Sequence, residues 1–428
     1  MDYPKSLEFL YRLARGRGLK LGLSRVRRGA LMLGSPHLVF PSVHVAGTNG
    51  KGSVSAMAAS VLKEAGYRVG LFTSPHLHRL TERIRINGQE ISRKDLSRLA
   101  SDMALLLDRP GAPQLTFFEV ITLSAFRYFA EHSVDIAVVE VGLGGRLDAT
   151  NIVEPKVSVI TGIGLDHTDL LGNDLLSISR EKAGIMKRQV PVVLGLFPKE
   201  VKRYLRQRAA RLQCPQLWLD KDFGAKNRDL SEKDLDYFGP HGDVNGISLS
   251  LKGEYQRRNA SMAIAALQEL GENGFHIHQG HIRKGLGRAS WPGRMEFLGH
   301  APAIILDAAH NSQGAEILAH ELDALAPRRT ALLFGVLKDK NVSVMLQHLR
   351  KHATKVFLAM PPVGRGRDPR TYAAAGDVVC NDVEQALGQA GTYAGRKGRV
   401  IVAGSIYLVA AARSLLKPDE PCDPLIDL

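Results

Sequence analysis

Residues Gly47 to Ser53 read Gly-Thr-Asn-Gly-Lys-Gly-Ser and stand between a short apolar run and a helical pattern. Glycines in such a turn let backbone N–H groups converge on phosphate oxygens, the helix N-terminus adds its dipole, and Lys51 supplies a mobile cation. A standard phosphate loop puts Ser or Thr directly after the lysine to meet Mg²⁺. Here Gly52 takes that slot and Ser53 follows one residue later, so the standard spacing is not met. The bland alternative is a Gly-rich turn with an incidental lysine.

Five later segments carry further chemistry. Glu140 lies near the end of the apolar run Asp135–Val141, just before GLGGRLDATN (Gly142–Asn151). A carboxylate at the carboxyl end of a buried parallel strand stands where open α/β sheets take ligands; capping a loop is the equal alternative. Gly142, Gly144 and Gly145 mimic part of a dinucleotide fingerprint, a weak signal when the phosphate loop occupies another strand–helix turn. His167, in GLDHTDLLG, reads either as a structural loop histidine or as a neutral imidazole ligand. Lys182, in REKAGI, takes a helical position, for which a solvated surface lysine is the usual outcome. WPGR brings Arg294, and LDAAHN brings Asp307 and His310 to a strand's carboxyl end, where a satisfied turn network competes with a functional pair.

The elements that must position these groups are legible from periodicity. Short apolar runs alternate with helical patterns from Pro41 onward, as in an α/β domain around a mainly parallel sheet. Strands are expected at Ser42–Ala46, Asp135–Val141, Lys156–Gly162 and Val190–Leu194, with helices at Ser53–Glu64 and Asn259–Leu270. At the start of the latter helix Asn259 reads as a cap. A second α/β block follows Trp291–Arg294, with strands at Ala303–Leu306, Thr330–Gly335, Lys355–Met360 and Arg399–Ala403 and a helix at Ser312–Leu325. It lacks a G-x-G-x-x-G turn, so no dinucleotide is expected there. The expected fold is α/β: an N-terminal P-loop-type ATPase domain over residues 1–293 and a smaller C-terminal Rossmann-like domain over 294–428.

Composition narrows the class. A chain of 428 residues exceeds one ordinary core, and 44% hydrophobic with 23% charged residues is a globular balance. Charges interrupt the apolar positions of the N-terminus too often for a signal-peptide core; Leu7, Leu10, Tyr11 and Ala14 suggest an amphipathic helix instead. No run reaches the length of a membrane-spanning helix. Cys214, Cys380 and Cys422 are scattered, which fits a reducing cytoplasm. The formal charge of +14 admits nucleic-acid binding or a basic enzyme with polyanionic ligands. Cations cluster near Arg15–Arg28 and Lys199–Arg211 without the interleaved aromatics of a stacking platform, so a nucleic-acid partner is not expected.

GTNGK resembles the phosphate loop of the Mur ligase superfamily, and GKGS, TSPHL, VEVGLGGRLDATN, LDHTDLLG and REKAGIMK resemble successive motifs of the folylpolyglutamate synthase/dihydrofolate synthase family, in family order. The resemblance implies an ATP-dependent ligase joining L-glutamate to a pteroate or folate carboxylate. It also implies that Gly47, Thr48, Asn49, Gly50, Lys51, Gly52, Ser53, Asn259, Arg294 and Asp307 bind ATP. Ser53, Ser74, Glu140, His167 and a carbamylated Lys182 would hold two Mg²⁺ ions, although imidazole is not magnesium's favoured ligand. Lys51, Lys182 and His310 would be catalytic. A flat pterin needs aromatic stacking and a carboxylate or amide. By the same resemblance Thr116, Phe117, Phe118 and Glu119 with Leu147, Asp148 and Ala149 contact dihydropteroate, and the basic segment Gly18–Leu21 forms another wall. Phe117 and Phe118 read on their own as core residues. A cytoplasmic monomer acting on small molecules, with no membrane partner, is expected. The alternatives are a cell-wall peptide ligase of the same superfamily and a basic P-loop ATPase associated with nucleic acid.

Overall fold

A computed structural model of the chain describes residues 1–17, 21–226, 234–299 and 301–424. Eight strands build the first sheet: β1 (Ser42–Ala46), β2 (Val69–Phe72), β3 (Ile84–Ile86), β4 (Gln89–Glu90), β5 (Ile136–Glu140), β6 (Val157–Gly162), β7 (Val192–Leu196) and β8 (Gln216–Trp218). Their spatial order is β4-β3-β2-β5-β1-β6-β7-β8. From β2 to β8 all neighbours run parallel, and the β3–β4 hairpin closes one edge antiparallel. Every residue of β1, β2 and β5 is buried, as in strands covered on both faces, with Ser42 and His44 of β1 buried among their apolar neighbours. The carboxyl ends of β5, β1 and β6 therefore emerge side by side.

The helix Lys51–Glu64 is apolar almost all round, with Val54, Met57, Val61 and Leu62 fully buried. Its alanines and serines let it lie between the sheet and the helices Glu254–Glu272 and Gln279–Leu286. A small antiparallel sheet of β9 (Gly224–Ala225), β10 (Asp234–Phe238) and β11 (Val244–Ser248) covers the far side of this core.

The second large sheet contains β12 (Glu296–Leu298), β13 (Ala303–Leu306), β14 (Thr330–Phe334), β15 (Lys355–Leu358), β16 (Val378–Val379) and β17 (Arg399–Ala403). Its order is β12-β13-β17-β14-β15-β16, parallel except for β12. The two large sheets share no strand.

Most expected elements occur within two residues of their expected bounds. The helix expected from Asn259 begins at Glu254, because Glu321 accepts the N–H groups of Glu254 and Tyr255. Asn259 is therefore an interior residue of that helix and not its cap. The N-terminal helix Tyr3–Arg17 buries Leu7, Leu10 and Tyr11 as its period requires. Of the Gly18–Leu21 segment only Leu21 lies within the described residues. No helix among the described residues is long and apolar enough to cross a membrane.

Away from the strand ends, the first half grips the second. Leu77, in the turn after β2, belongs to the apolar cluster of the second sheet with Leu333, Val402 and Leu408. Beside it Arg413 donates to His78 Nδ1 (3.3 Å), and His78 Nε2 donates to the Ala410 carbonyl (3.2 Å). The segment after the last helix returns over the same turn, where buried Asp423 accepts from Tyr3 Oη (2.7 Å) and Leu80 N–H (2.8 Å).

Candidate active site

The loop after β1 is tied to the end of β6 before any ligand is considered. Thr48 N–H donates to the Gly162 carbonyl (2.9 Å), Thr48 Oγ1 exchanges hydrogen bonds with the Gly164 backbone, and Thr161 Oγ1 donates to the Asn49 carbonyl (2.6 Å). Gly50 precedes the helix with φ of 86°, and a Cβ there would stand 2.7 Å from Asn259 Oδ1. Asn259 thus reaches the loop from inside its helix, held by Gln256, which also reaches Ser53 Oγ (3.4 Å). Lys51 Nζ donates to the Thr48 carbonyl (3.2 Å), folded along the loop it would serve.

Glu140 closes β5 directly alongside. Burial pushes its carboxyl up to about 7, against the pull of Lys51, the Ser74 N–H, Arg294 and Arg83. Its carboxylate accepts from Ser74 N–H (3.2 Å), while Ser74 Oγ is buried with no partner among the described residues. Lys182 is buried rather than solvated: its Nζ donates to the Gly47 carbonyl (2.9 Å). Burial first, then Lys51, brings its ammonium down to about 7, so an appreciable fraction is free amine at neutral pH.

His167 sits in the left-handed region (φ 49°) with an exposed ring, held below its ordinary pKa by partial burial and then by Lys340, His310 and Lys51. Its neighbour Asp166, which the sequence reading passed over, is the electrostatic centre of the cleft. Asp166 accepts from Lys340 Nζ (2.7 Å) and Asn311 Nδ2 (3.0 Å), and His310 Nε2 lies 3.4 Å away. Burial pushes this carboxyl up, but the histidines and Lys340 outweigh burial and hold it well below the usual carboxylate range. An aspartate directly before an expected ligand was the available signal; nothing local marked Lys340.

The second sheet supplies the opposite wall. Asp307, at the end of β13, is buried and accepts from the N–H groups of Met295 and Ala309 (both 2.9 Å) and from Tyr255 Oη (3.4 Å). The satisfied turn network is therefore real, yet Asp307 still faces the cavity. His310 Nδ1 donates to the Ala308 carbonyl (2.9 Å). Asn311 and Gln313 accept from Asn49 Nδ2 (3.3 and 3.0 Å), and Asn311 returns a bond to Asn49 Oδ1 (3.1 Å).

Gly47 to Ser53, Ser74, Glu140, His167, Lys182, Asn259, Arg294, Asp307 and His310 all line one cavity of about 490 Å³. The size suits a nucleotide-class ligand. Thr116–Glu119 and Leu147–Ala149 do not line it. Thr116 and Glu119 cap the helix Phe117–Glu131 reciprocally, and Glu119 pairs with Arg25 (3.1 Å). Phe117 packs under Arg83 and against Tyr11, and Asp148 accepts from Leu143 and Thr150. Phe118 alone approaches the cavity, its ring against the backbone of Gly142 and 5.9 Å from Phe72.

Among the described residues no three His, Cys, Asp or Glu side chains converge as a metal cage. A magnesium ion suits this donor set even so, because it prefers few carboxylates supplemented by hydroxyls, waters and substrate phosphates. Glu140 and the Ser74 hydroxyl, which has no partner among the described residues, are such donors.

Comparison with known proteins places this geometry. Residues 45–267 match the Mur ligase middle domain, and residues 293–406 match the Mur ligase, glutamate ligase domain. A dihydrofolate synthase/folylpolyglutamate synthase of Bacillus subtilis is 36% identical over 94% of this chain and 96% of its own length. Among solved structures, Escherichia coli FolC in complex with DHPP and ADP superposes with a TM-score of 0.88, at 33% identity over 97% of this chain and 98% of that one. Mycobacterium tuberculosis folylpolyglutamate synthase complexed with ADP gives 0.90, at 32% identity over 99% and 100%. With a full-length match in sequence and fold, the chain belongs to the dihydrofolate synthase/folylpolyglutamate synthase family of Mur ligases.

Proposed function

We propose that this chain is an ATP-dependent ligase that adds L-glutamate to dihydropteroate and to the glutamate tail of tetrahydrofolate, releasing ADP and phosphate. The observation that carries the reading is the meeting of the Gly47–Ser53 loop with Arg294, Asp307 and His310 of the other sheet around one cavity. A free carboxylate is a poor electrophile at neutral pH. The acceptor carboxylate attacks the γ-phosphorus, ADP leaves, and an acyl phosphate forms. The amino group of glutamate then attacks the acyl carbon, and phosphate departs as the amide forms.

Loop amides and Lys51 hold the phosphoryl oxygens, and Lys51 swings from the Thr48 carbonyl to the transferring group. Asn259, Arg294 and Asp307 seat the nucleotide, and His310 orients reactants at the mouth. Glu140, Ser74, Ser53, His167 and a carbamylated Lys182 are the proposed Mg²⁺ ligands; buried Lys182, with its lowered pKa, has the free amine that CO₂ addition requires. Bound Mg²⁺ would neutralise charge on the phosphoryl oxygens. The pteroate ring is assigned to the Phe118 side of the cavity, with the Thr116–Glu119 and Leu147–Ala149 segments behind it. Residues 1–293 form the nucleotide domain and 294–428 the glutamate-ligase domain of a cytoplasmic monomer with no nucleic-acid partner; β12, starting at Glu296, supports that division.

The test is an assay of purified chain with ATP, Mg²⁺, L-glutamate and either dihydropteroate or tetrahydrofolate, following ADP and the glutamyl product by mass. Product is expected with both acceptors and is lost in Lys51→Ala. No ADP with either acceptor, or turnover only with a nucleotide-sugar peptide, refutes the reading.

A further inference from the structure

The missing hydroxyl at position 52 has a neighbour that explains it. A Cβ on Gly52 would stand 2.7 Å from Cε2, Cζ2 and Nε1 of Trp291. The indole therefore lies directly on the first turn of the phosphate-loop helix, and Ser or Thr at position 52 would collide with it. Trp291 also packs on the apolar core beneath that helix, and the Arg85 guanidinium lies 5.7 Å from its ring.

The residues after Trp291 are fastened at their other end to the second sheet. The Gly293 carbonyl accepts from Ala308 N–H (2.8 Å), Gly293 N–H donates to Glu296 Oε2 (2.9 Å), and Met295 N–H donates to Asp307 (2.9 Å). Arg294, between these anchors, faces the cavity. A rigid aromatic plate on the loop and two hydrogen bonds to the Asp307 turn leave the connecting residues little freedom.

We propose that Trp291 is a positioning residue that sets Arg294 and Asp307 in register with the phosphate loop, and that Gly52 is the seat it requires. Displacing the plate changes where the second sheet's groups stand relative to the transferring phosphoryl, while the loop amides remain to bind nucleotide. Misplacement of this kind lowers kcat on the order of tenfold to a hundredfold, with a smaller change in KM for ATP. The kinetic readout rests on the ligase reading; the binding readout does not.

The experiment is a double-mutant cycle of Gly52→Ala and Trp291→Ala, with Trp291→Phe as the conservative variant. Each protein is measured for ADP formation, for ATP–Mg²⁺ affinity and for thermal midpoint. Gly52→Ala alone is expected to lower kcat because its methyl pushes the indole away; in the Trp291→Ala background the same methyl has room and costs nothing further. Trp291→Phe restores part of the rate. In a Trp218→Phe background, where Trp291 is the remaining tryptophan, ATP–Mg²⁺ is expected to shift the indole emission. Additive losses in the cycle, or loss of rate that only tracks a lowered thermal midpoint, would overturn the proposal. If the wild-type chain makes no glutamyl product, the ligase reading falls, and the affinity cycle with the emission shift decides this one: additive affinity losses or an unmoved emission overturn it.

Discussion

Replacing Glu140 by Gln should stabilise the metal-free protein, and only at the higher pH values. The carboxyl moves from an ordinary 4.5 when unfolded to about 7 in the fold because burial outweighs its neighbours. Below pH 4.5 both states hold the proton and the group is neutral to stability. Between 4.5 and 7 the folded state keeps a proton that the unfolded state has lost, so stability falls as pH rises. Above 7 the cost is complete, at about 3 kcal/mol on an order-of-magnitude reading. Glutamine keeps the shape and removes the charge. Urea unfolding in a chelator at pH 5 and pH 8 measures the difference. Near-equal stability is expected at pH 5, with the variant ahead by up to about 3 kcal/mol at pH 8. Adding Mg²⁺ should return stability to the natural protein and do little for the variant. A variant no more stable at pH 8, or equally favoured at both pH values, would refute the reasoning.

Three other outcomes follow from the same geometry. Stripping CO₂ and bicarbonate from the buffers should lower turnover, and returning bicarbonate should restore it, because Lys182 is buried with its pKa near neutrality; Lys182→Arg should abolish both, and a rate indifferent to bicarbonate counts against the carbamate. Asp166→Ala leaves buried Lys340 with Asp339 (3.0 Å) as its remaining carboxylate, which should cost up to about 3 kcal/mol in thermal or chemical unfolding. Thr116→Ala removes a helix cap and should cost about 1 kcal/mol with KM for dihydropteroate unchanged, whereas Phe118→Ala should raise that KM; the reverse pattern would return Thr116 to the ligand.

The sequence was most informative where chemistry and secondary structure coincide. The phosphate loop, Glu140 and Asp307 each follow an apolar run, and each stands at the end of the strand that run forms. Lys182 was harder, since a lysine at a helical position carries no mark of burial; its depth comes from the Gly47 carbonyl, distant in sequence. Asp166, Lys340 and Asn311 were missed for the same reason, because each owes its role to a partner on the other sheet. Thr116 and Glu119 show the opposite case: their spacing is that of a capping box, and local hydrogen bonding occupies the polar atoms that the family resemblance assigned to substrate. Strand β2 escaped because four residues are too few to show a period, and the β3–β4 hairpin because its strands are short and part-polar.

Asp166, the Asn49–Asn311 pair and Gln313 form a seam different in kind from the one around Leu77 and Asp423. The first is made of side-chain hydrogen bonds and one buried ion pair beside an open cleft. The second buries a leucine and an arginine with their hydrocarbon surroundings. Parting the halves at the cleft exposes polar groups that water can solvate, whereas parting them at the second seam exposes apolar surface as well. Separation of the halves should therefore begin at the cleft and leave the joint around Leu77 in contact.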